Sequence, residues 1–492
     1  MPVWVMVTVQ IVVSAASLVV EIVAGRMLAP HVGMSLYTWT SVIAVVLAGF
    51  SVGHWWGGRL ADRPPELALR QTGWLLLAAA VTTSISGTLL AKSAGPVLAA
   101  TEGPIAGIII LTGVAFFLPS LFAGVPAPVL AKEATRQSPR PGQALGSLFA
   151  AGAIGAIAGT LLAGFLFISW LGSTLTLTVV SLVYVATALV FLLASQTPIK
   201  RVATATIIAL ILASAALAAP DHCTRESRYF CIRVVDVSAN ADSPAKMMIL
   251  DHLVHGIGTR DAPEVMFTDH AAMLDALARI RMGRHDFSSF FIGGGTFSIP
   301  RAWAEQDIGP ATVAEIDPVV VELASTEFWF DPTTAKILEK DARQALASDD
   351  ARYDIIIGDA FTDIAVPAHL MTQEFFALVQ SRLNPGGAYL MNVIDFEDRL
   401  SVLGAVIRTL KAKFEVVEVW TQQQRPVPGS RMVFVVVASD TVTDIDSFSV
   451  PAPDQTVFGA LSQGFVEDLA ARETLILTDD YAPIDRLMGA SD

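Results

Sequence analysis

Residues 291–300 read FIGGGTFSIP. They follow the apolar run FSSFF (287–291) and precede VAEIDP (313–318). An apolar run ending in three glycines describes a strand that turns sharply into a helix, with no side chain to keep a ligand off the backbone. A second apolar run ends in Glu315, 22 residues after Gly293, the distance one helical crossover requires between parallel strands. Gly293, Gly294 and Gly295 are candidates for close backbone approach to a ligand. Glu315 is a candidate acceptor for paired hydroxyls.

The surrounding chain divides into two chemistries. It has 492 residues, 53% of them hydrophobic and only 16% charged, with a mean hydropathy of +0.56. That is too apolar for an ordinary soluble protein and too charged for membrane throughout. Residues 1–220 carry ten Lys and Arg against five Asp and Glu; residues 221–492 carry 22 against 41. The acidity of the second part disfavours nucleic acid, whose phosphates require a basic face. Only Cys223 and Cys231 are present, too few for a cysteine-rich zinc module, and no metal is expected.

Seven stretches in the first part are apolar enough to cross a bilayer, which takes roughly 20 helical residues. They lie near 3–25, 38–57, 72–91, 105–130, 145–168, 173–195 and 202–219. Eight basic residues (Arg59, Arg63, Arg70, Lys132, Arg136, Arg140, Lys200 and Arg201) follow spans two, four and six. Arg26 and Lys92 alone occupy the other loops. This bias predicts a multi-pass protein of a bacterial-type inner membrane, with its N-terminus inside and the acidic part outside. KRVATATIIALILASAALAAP (200–220) also resembles an export signal, retained as an anchor. An exported position would allow Cys223 and Cys231 to form a disulfide. Glu21 and Arg26 are expected to pair within the first span. Gly146, Gly152, Gly155, Gly159 and Gly164 are expected to give small faces for helix contact.

After residue 220 the pattern changes to short β segments, YFCIRVVDV and AKMMILDHLVHGI, followed by the helical FTDHAAMLDALARI. A small β sub-domain with its linking helix is expected over 221–280. Strands FSSFFI, ATVAEI, AKILEK, YDIIIGD, GAYLMNV, FEVVEVW and RMVFVVVAS then alternate with helical patterns over 281–492. The fold class is therefore a multi-pass helical membrane domain joined to an α/β Rossmann-like domain of the class I methyltransferase type. Ligands in such sheets sit beyond the carboxyl ends of the strands. Asp341, after the third strand, and Asp359, ending the fourth, fall there with Glu315 and the glycines. The ordered set points to an adenosyl-type ligand.

The stretches FIGGGTFSIP, VAEIDPVVVELA, EKDARQAL, YDIIIGDAFTD and MTQEFFALVQSRLNPGGAYLMNV resemble the spermidine synthase (polyamine aminopropyltransferase) family. EIVAGRMLAPHVGMSLYTWTSVI, GGRLADRPP and ALGSLFAAGAIGAIAG resemble its membrane-fused members, and LTDDYAPIDRLM their C-terminal segment. The resemblance implies transfer of an aminopropyl group from decarboxylated S-adenosylmethionine to an amine. Glu315 would hold ribose, with Asp317 beside it. Asp341 and Ala342 would face adenine, and Asp359 would take the acceptor's proton. The family's acid after the glycines is Thr296 here, its second pocket acid is Thr362 with Asp363 next, and an acceptor-side Gln is His255. His270, Asp363 and Tyr481 are further candidates for an altered acceptor pocket. S-adenosylmethionine-dependent methyl or group transfer is one alternative; a non-catalytic nucleoside- or polyamine-binding domain on a transporter-like bundle is another. The expected partners are the small-molecule donor, the amine-like acceptor and the lipid bilayer, with a homodimer as a candidate assembly.

Overall fold

The computed structural model describes every residue except 102, 218–221, 240–241, 362–365 and 490–492. Thr362 and Asp363 lie outside the described residues, as does the junction at residue 220. The chain forms two compact units, Met1–Cys231 and Ile232–Asp492.

The first unit is helical. Among its described residues five helices are long and apolar enough to cross a membrane: Val3–Val32 (α1), Leu36–Ala61 (α2), Pro65–Ala100 (α3), Ile105–Gln137 and Pro141–Ala194. The fourth comprises Pro104–Thr112 (α4), Leu118–Gly124 (α5) and Pro126–Gln137 (α6). The fifth comprises Pro141–Leu162 (α7) and Ile168–Ala194 (α8), and α9 follows at Ile199–Leu217. The two spans expected at 145–168 and 173–195 correspond to two helical segments that meet at a kink within this stretch. The stretch is interrupted at Gly172 (φ 71°, ψ 176°), a conformation that excludes most side chains.

Glycines set how closely these helices approach. A Cβ on Gly155 or Gly159 of α7 would stand 2.2 Å from the Ile11 or Ala15 carbonyl of α1, so only glycine fits. Gly146 and Gly164, expected to share that face, have nothing within 4 Å. A stripe not anticipated from sequence, Gly49, Gly53 and Gly57 of α2, seats α5 and the chain after it; a Cβ on Gly53 would lie 2.1 Å from the Leu121 carbonyl.

Arg26 does not pair with Glu21. Its guanidinium donates to the carbonyls of Tyr229 and Ser227 and lies 3.9 Å from Glu226. Those carbonyls sit on the segment closed by the Cys223–Cys231 disulfide, which the structure contains. Two backbone acceptors satisfy the arginine better than a single carboxylate one and a half turns along the same helix.

The second unit begins with an antiparallel sheet of β1 (Cys231–Asp236), β2 (Ala245–Leu250) and β3 (Leu253–Thr259). Helix α10 (Asp269–Met282) leads to the main sheet. Its strands are β4 (Ser289–Ile292), β5 (Ala311–Ala314), β6 (Lys336–Leu338), β7 (Tyr353–Gly358), β8 (Leu383–Phe396), β9 (Val416–Gln422), β10 (Arg431–Ser439), β11 (Ser447–Val450) and β12 (Thr456–Ala460). Their order is β11-β12-β9-β10-β8-β7-β4-β5-β6. β4 to β8 pair in parallel; β8, β10, β9, β12 and β11 pair antiparallel. This is the Rossmann-like mixed sheet expected from the strand pattern, extended by β11 and β12. β4 lies between β5 and β7, so the direction of winding reverses at β4 and a crevice opens at the carboxyl ends of these strands. Fully buried Phe290, Ile292, Ile356, Met391 and Val393 fill one face of the sheet and fix its register.

Candidate active site

The glycine loop is tied to its neighbours through main-chain atoms. The Gly293 N–H donates to Ala314 O at 3.0 Å, and Asp359 N–H donates to Ile292 O at 3.0 Å. Gly293 has φ 93°, and a Cβ there would lie 2.7 Å from the Asp359 carbonyl. Only glycine lets the loop pass the end of β7. α11 (Ser298–Glu305) starts directly after, launched by Phe297 in the left-handed region.

Glu315 is buried, and its two oxygens accept main-chain N–H groups: Gly294 at 2.8 Å and Asp317 at 2.9 Å. Burial raises its pKa, while those N–H groups pull it back in part. The carboxylate therefore shapes the loop, and the remaining lone pairs are what it can offer a ligand. Asp317, also buried, caps α12 (Pro318–Glu327) by accepting from Val319 N–H at 3.0 Å. Asp341 caps α13 (Ala342–Ser348) through Gln344 N–H at 2.9 Å; its other oxygen lies 2.8 Å from His369 Nε2. Ala342 is buried as the first residue of that helix.

Asp359 stands at the end of β7. Asn392 of β8 donates its Nδ2 to Oδ1 at 2.8 Å, and His270 Nε2 lies 3.6 Å from Oδ2. Thr268 Oγ1 is 3.3 Å from the same imidazole nitrogen. Asp359, His270, His255 and Thr296 share a small cavity of about 40 Å³ with Gly293 and Gly294. Burial pushes His255 down to about 4, against the pull of Asp359 upward, so the ring is neutral at pH 7. Thr296 is buried, its hydroxyl 2.7 Å from Ser298 Oγ; Gly256 of β3 makes room for it, since a Cβ there would come 2.3 Å from Thr296 Oγ1. Asp359 is the sole carboxylate among the described residues that line this cavity.

The structure thus gathers the glycines, Thr296, Asp359, His255 and His270 around one cavity. Asp341 stands in a separate cluster: Arg343 donates to both oxygens of Asp479 at 2.7 and 2.6 Å and to the His369 carbonyl at 3.1 Å. Thr372 also donates to Asp479, whose carboxyl is held down at about 2, chiefly by Arg343 and then Thr372. Tyr481 is half-exposed and engaged through its backbone with Thr478. Sequence reading missed Asn392, Thr268, His369 and Arg343. Asn392 sits in the stretch MNV, one residue after the position that pairs with Gly358, and that parallel register is the signal that would have found it.

Residues 290–447 match the model of the spermine/spermidine synthase domain. A probable polyamine aminopropyl transferase of Bifidobacterium longum is 32% identical over 122 residues, 24% of this chain and 26% of that protein. A polyamine aminopropyltransferase of Vibrio vulnificus is 32% identical over 130 residues, 25% of this chain and 42% of that protein. The chain therefore spans less than half the length of these relatives. A crystal structure of a probable spermidine synthase from Corynebacterium glutamicum superposes with a TM-score of 0.46 at 21% identity, covering 54% of this chain and 99% of that one. Residues 290–447 of this chain therefore form a spermine/spermidine synthase-like domain.

Proposed function

We propose that the chain is an integral membrane transferase whose Rossmann-like domain moves an aminopropyl group from decarboxylated S-adenosylmethionine to an amine-like acceptor. The acceptor's neutral nitrogen attacks the carbon beside the donor's sulfonium. The carbon–sulfur bond breaks, its electron pair returns to sulfur as a neutral thioether, and the nitrogen sheds a proton. Asp359 takes that proton, oriented by Asn392, with His270 at 3.6 Å placed to pass it on. The pairing of Asp359 with His270 at the rim of the glycine loop is the observation that carries this reading. Glycines 293–295 and Glu315 supply the donor's cradle, and Asp341 with His369 its adenine side.

Thr296 favours a second reading. A hydroxyl bonded to Ser298 cannot balance a donor's ammonium as a carboxylate does. This supports S-adenosylmethionine as the donor and methyl transfer as the reaction. Calorimetry on the full chain with both donors separates the two readings. Asp359→Asn is expected to reduce transfer by about a hundredfold or more while leaving donor affinity within about twofold. Turnover equal to wild type removes Asp359 from the chemistry.

The Cys223–Cys231 disulfide and the basic-loop bias support a position of the domain on the oxidising side of the membrane. A membrane-impermeant lysine reagent applied to intact cells tests this: labelling of Lys336 and Lys413 supports it, and labelling only after lysis reverses it.

A further inference from the structure

The C-terminal stretch LTDDYAPIDRLM (477–488) takes no part in the proposed transfer, yet it is fastened beside Asp341. Leu477 is fully buried; its N–H donates to Thr409 Oγ1 at 3.0 Å, and its carbonyl accepts the Gln373 N–H at 2.8 Å. That anchor delivers Asp479 to Arg343, the second residue of α13. We infer that Asp479 is a positioning residue for the nucleobase end of the donor site. By gripping Arg343 it fixes His369 and keeps the guanidinium off Asp341. The inference rests on the proposed reading of Asp341 as acceptor for a base's amino group.

The contacts form a continuous chain. Arg343 donates from its two terminal nitrogens to the two oxygens of Asp479, at 2.7 and 2.6 Å, a planar fork that fixes direction as well as distance. The nitrogen that reaches Oδ1 also donates to the His369 carbonyl at 3.1 Å, in the short turn Ala368–Leu370. His369 Nε2 stands 2.8 Å from Asp341 Oδ2, while Asp341 Oδ1 accepts the Gln344 N–H at 2.9 Å. A carboxylate oxygen has two lone pairs, so each Asp341 oxygen keeps one for a ligand. Asp479 is itself held by the Thr372 hydroxyl at 2.7 Å and by its own N–H on Glu374 at 3.1 Å. Arg343 is attracted by Glu374 and Asp341 as well as by Asp479. Without the Asp479 charge, a guanidinium only two residues from Asp341 turns to it and consumes the lone pairs that a base needs. The ion pair is partly exposed and adds little stability; its consequence is orientation.

The test is calorimetry on the full-length protein in detergent. The ligands are methylthioadenosine, the thioether that the proposed transfer would leave, and its analogue without the exocyclic amino group. Wild type should favour methylthioadenosine by about tenfold or more, the loss of one hydrogen bond to a charged acceptor. In Asp479→Asn that preference should fall to within about twofold. Arg343→Lys keeps the charge but not the fork, and the preference should fall there too. Asp480→Asn removes the same charge from the exposed neighbour and should keep the wild-type preference. Should Asp479→Asn not fold, Arg343→Lys decides. A merely structural role would weaken both ligands alike and leave their ratio standing; that result overturns the inference and spares the donor reading. A fall in Asp480→Asn as large as in Asp479→Asn also overturns it, because the effect would then be bulk charge. Wild-type binding of neither thioether, or of both equally, removes the reading of Asp341 and this inference with it.

Discussion

The neutral state of His255 makes a quantitative prediction. Its pKa falls from an ordinary 6.5 to about 4 because burial disfavours the imidazolium, with Asp359 opposing and His270 and His252 adding to the shift. The unfolded chain takes up a proton near 6.5, whereas the folded one does not until about pH 4. Stability is therefore fully present above the unfolded value and declines as pH falls through that window. The full shift corresponds to about 3 kcal/mol, and lowering the pH from 7.5 to 5 should remove about 2 kcal/mol. Histidine hydrogen–deuterium exchange followed by mass spectrometry on the full chain reads the midpoint at His255 directly. Denaturant unfolding of wild type and His255→Asn at both pH values reads the energetic consequence. The variant should lose about 2 kcal/mol less than wild type on acidification. A His255 midpoint at 6 or above, or equal pH sensitivity of the two proteins, refutes the argument. Under the proposed transfer, a neutral His255 adds no positive charge beside Asp359 to oppose an amine-like acceptor.

Gly293→Ala should abolish donor binding in calorimetry, because the new methyl meets the Asp359 carbonyl at 2.7 Å and φ is 93°; retained affinity would mean the loop is not the cradle. Gly53→Val should destabilise the helical unit by about 1–3 kcal/mol through overpacking against the Leu121 carbonyl. Gly58→Val, with nothing within 4 Å, should melt like wild type in the same detergent. Replacing both Cys223 and Cys231 by Ser should lower the melting temperature of the helical unit, since the disulfide holds the segment on which Arg26 docks. An unchanged melt would show that Arg26 and Glu226 alone suffice.

The Rossmann-like half was legible because its signals are local. Apolar runs of strand length end in glycine or acid, and strand polarity places those ends on one edge of the sheet. Strands β11 and β12 escaped notice because they are short and flank Pro451 and Pro453. The site's second tier was illegible for a different reason. Asn392 reaches Asp359 from 33 residues away, and His369 reaches Asp341 from 28, through pairings that only the folded sheet and helix ends create. Arg26 shows the same limit in the helical half. Glu21 is its apparent neighbour in sequence, yet its partners lie about two hundred residues downstream. Glu315 was recognised as important, but its grip on the Gly294 and Asp317 amides depends on backbone direction, which composition does not encode.

The glycine loop is fastened by peptide groups, whereas the opposite wall of its cavity consists of side chains: His255 from one strand, and Thr268 and His270 at the start of a helix. A peptide-built wall tolerates little revision, because altering it disturbs the scaffold. The side-chain wall is free to change one residue at a time. If the proposed transfer is right, chains sharing this architecture should hold the loop constant while acquiring different acceptors, with positions 255, 268 and 270 acting as the dial.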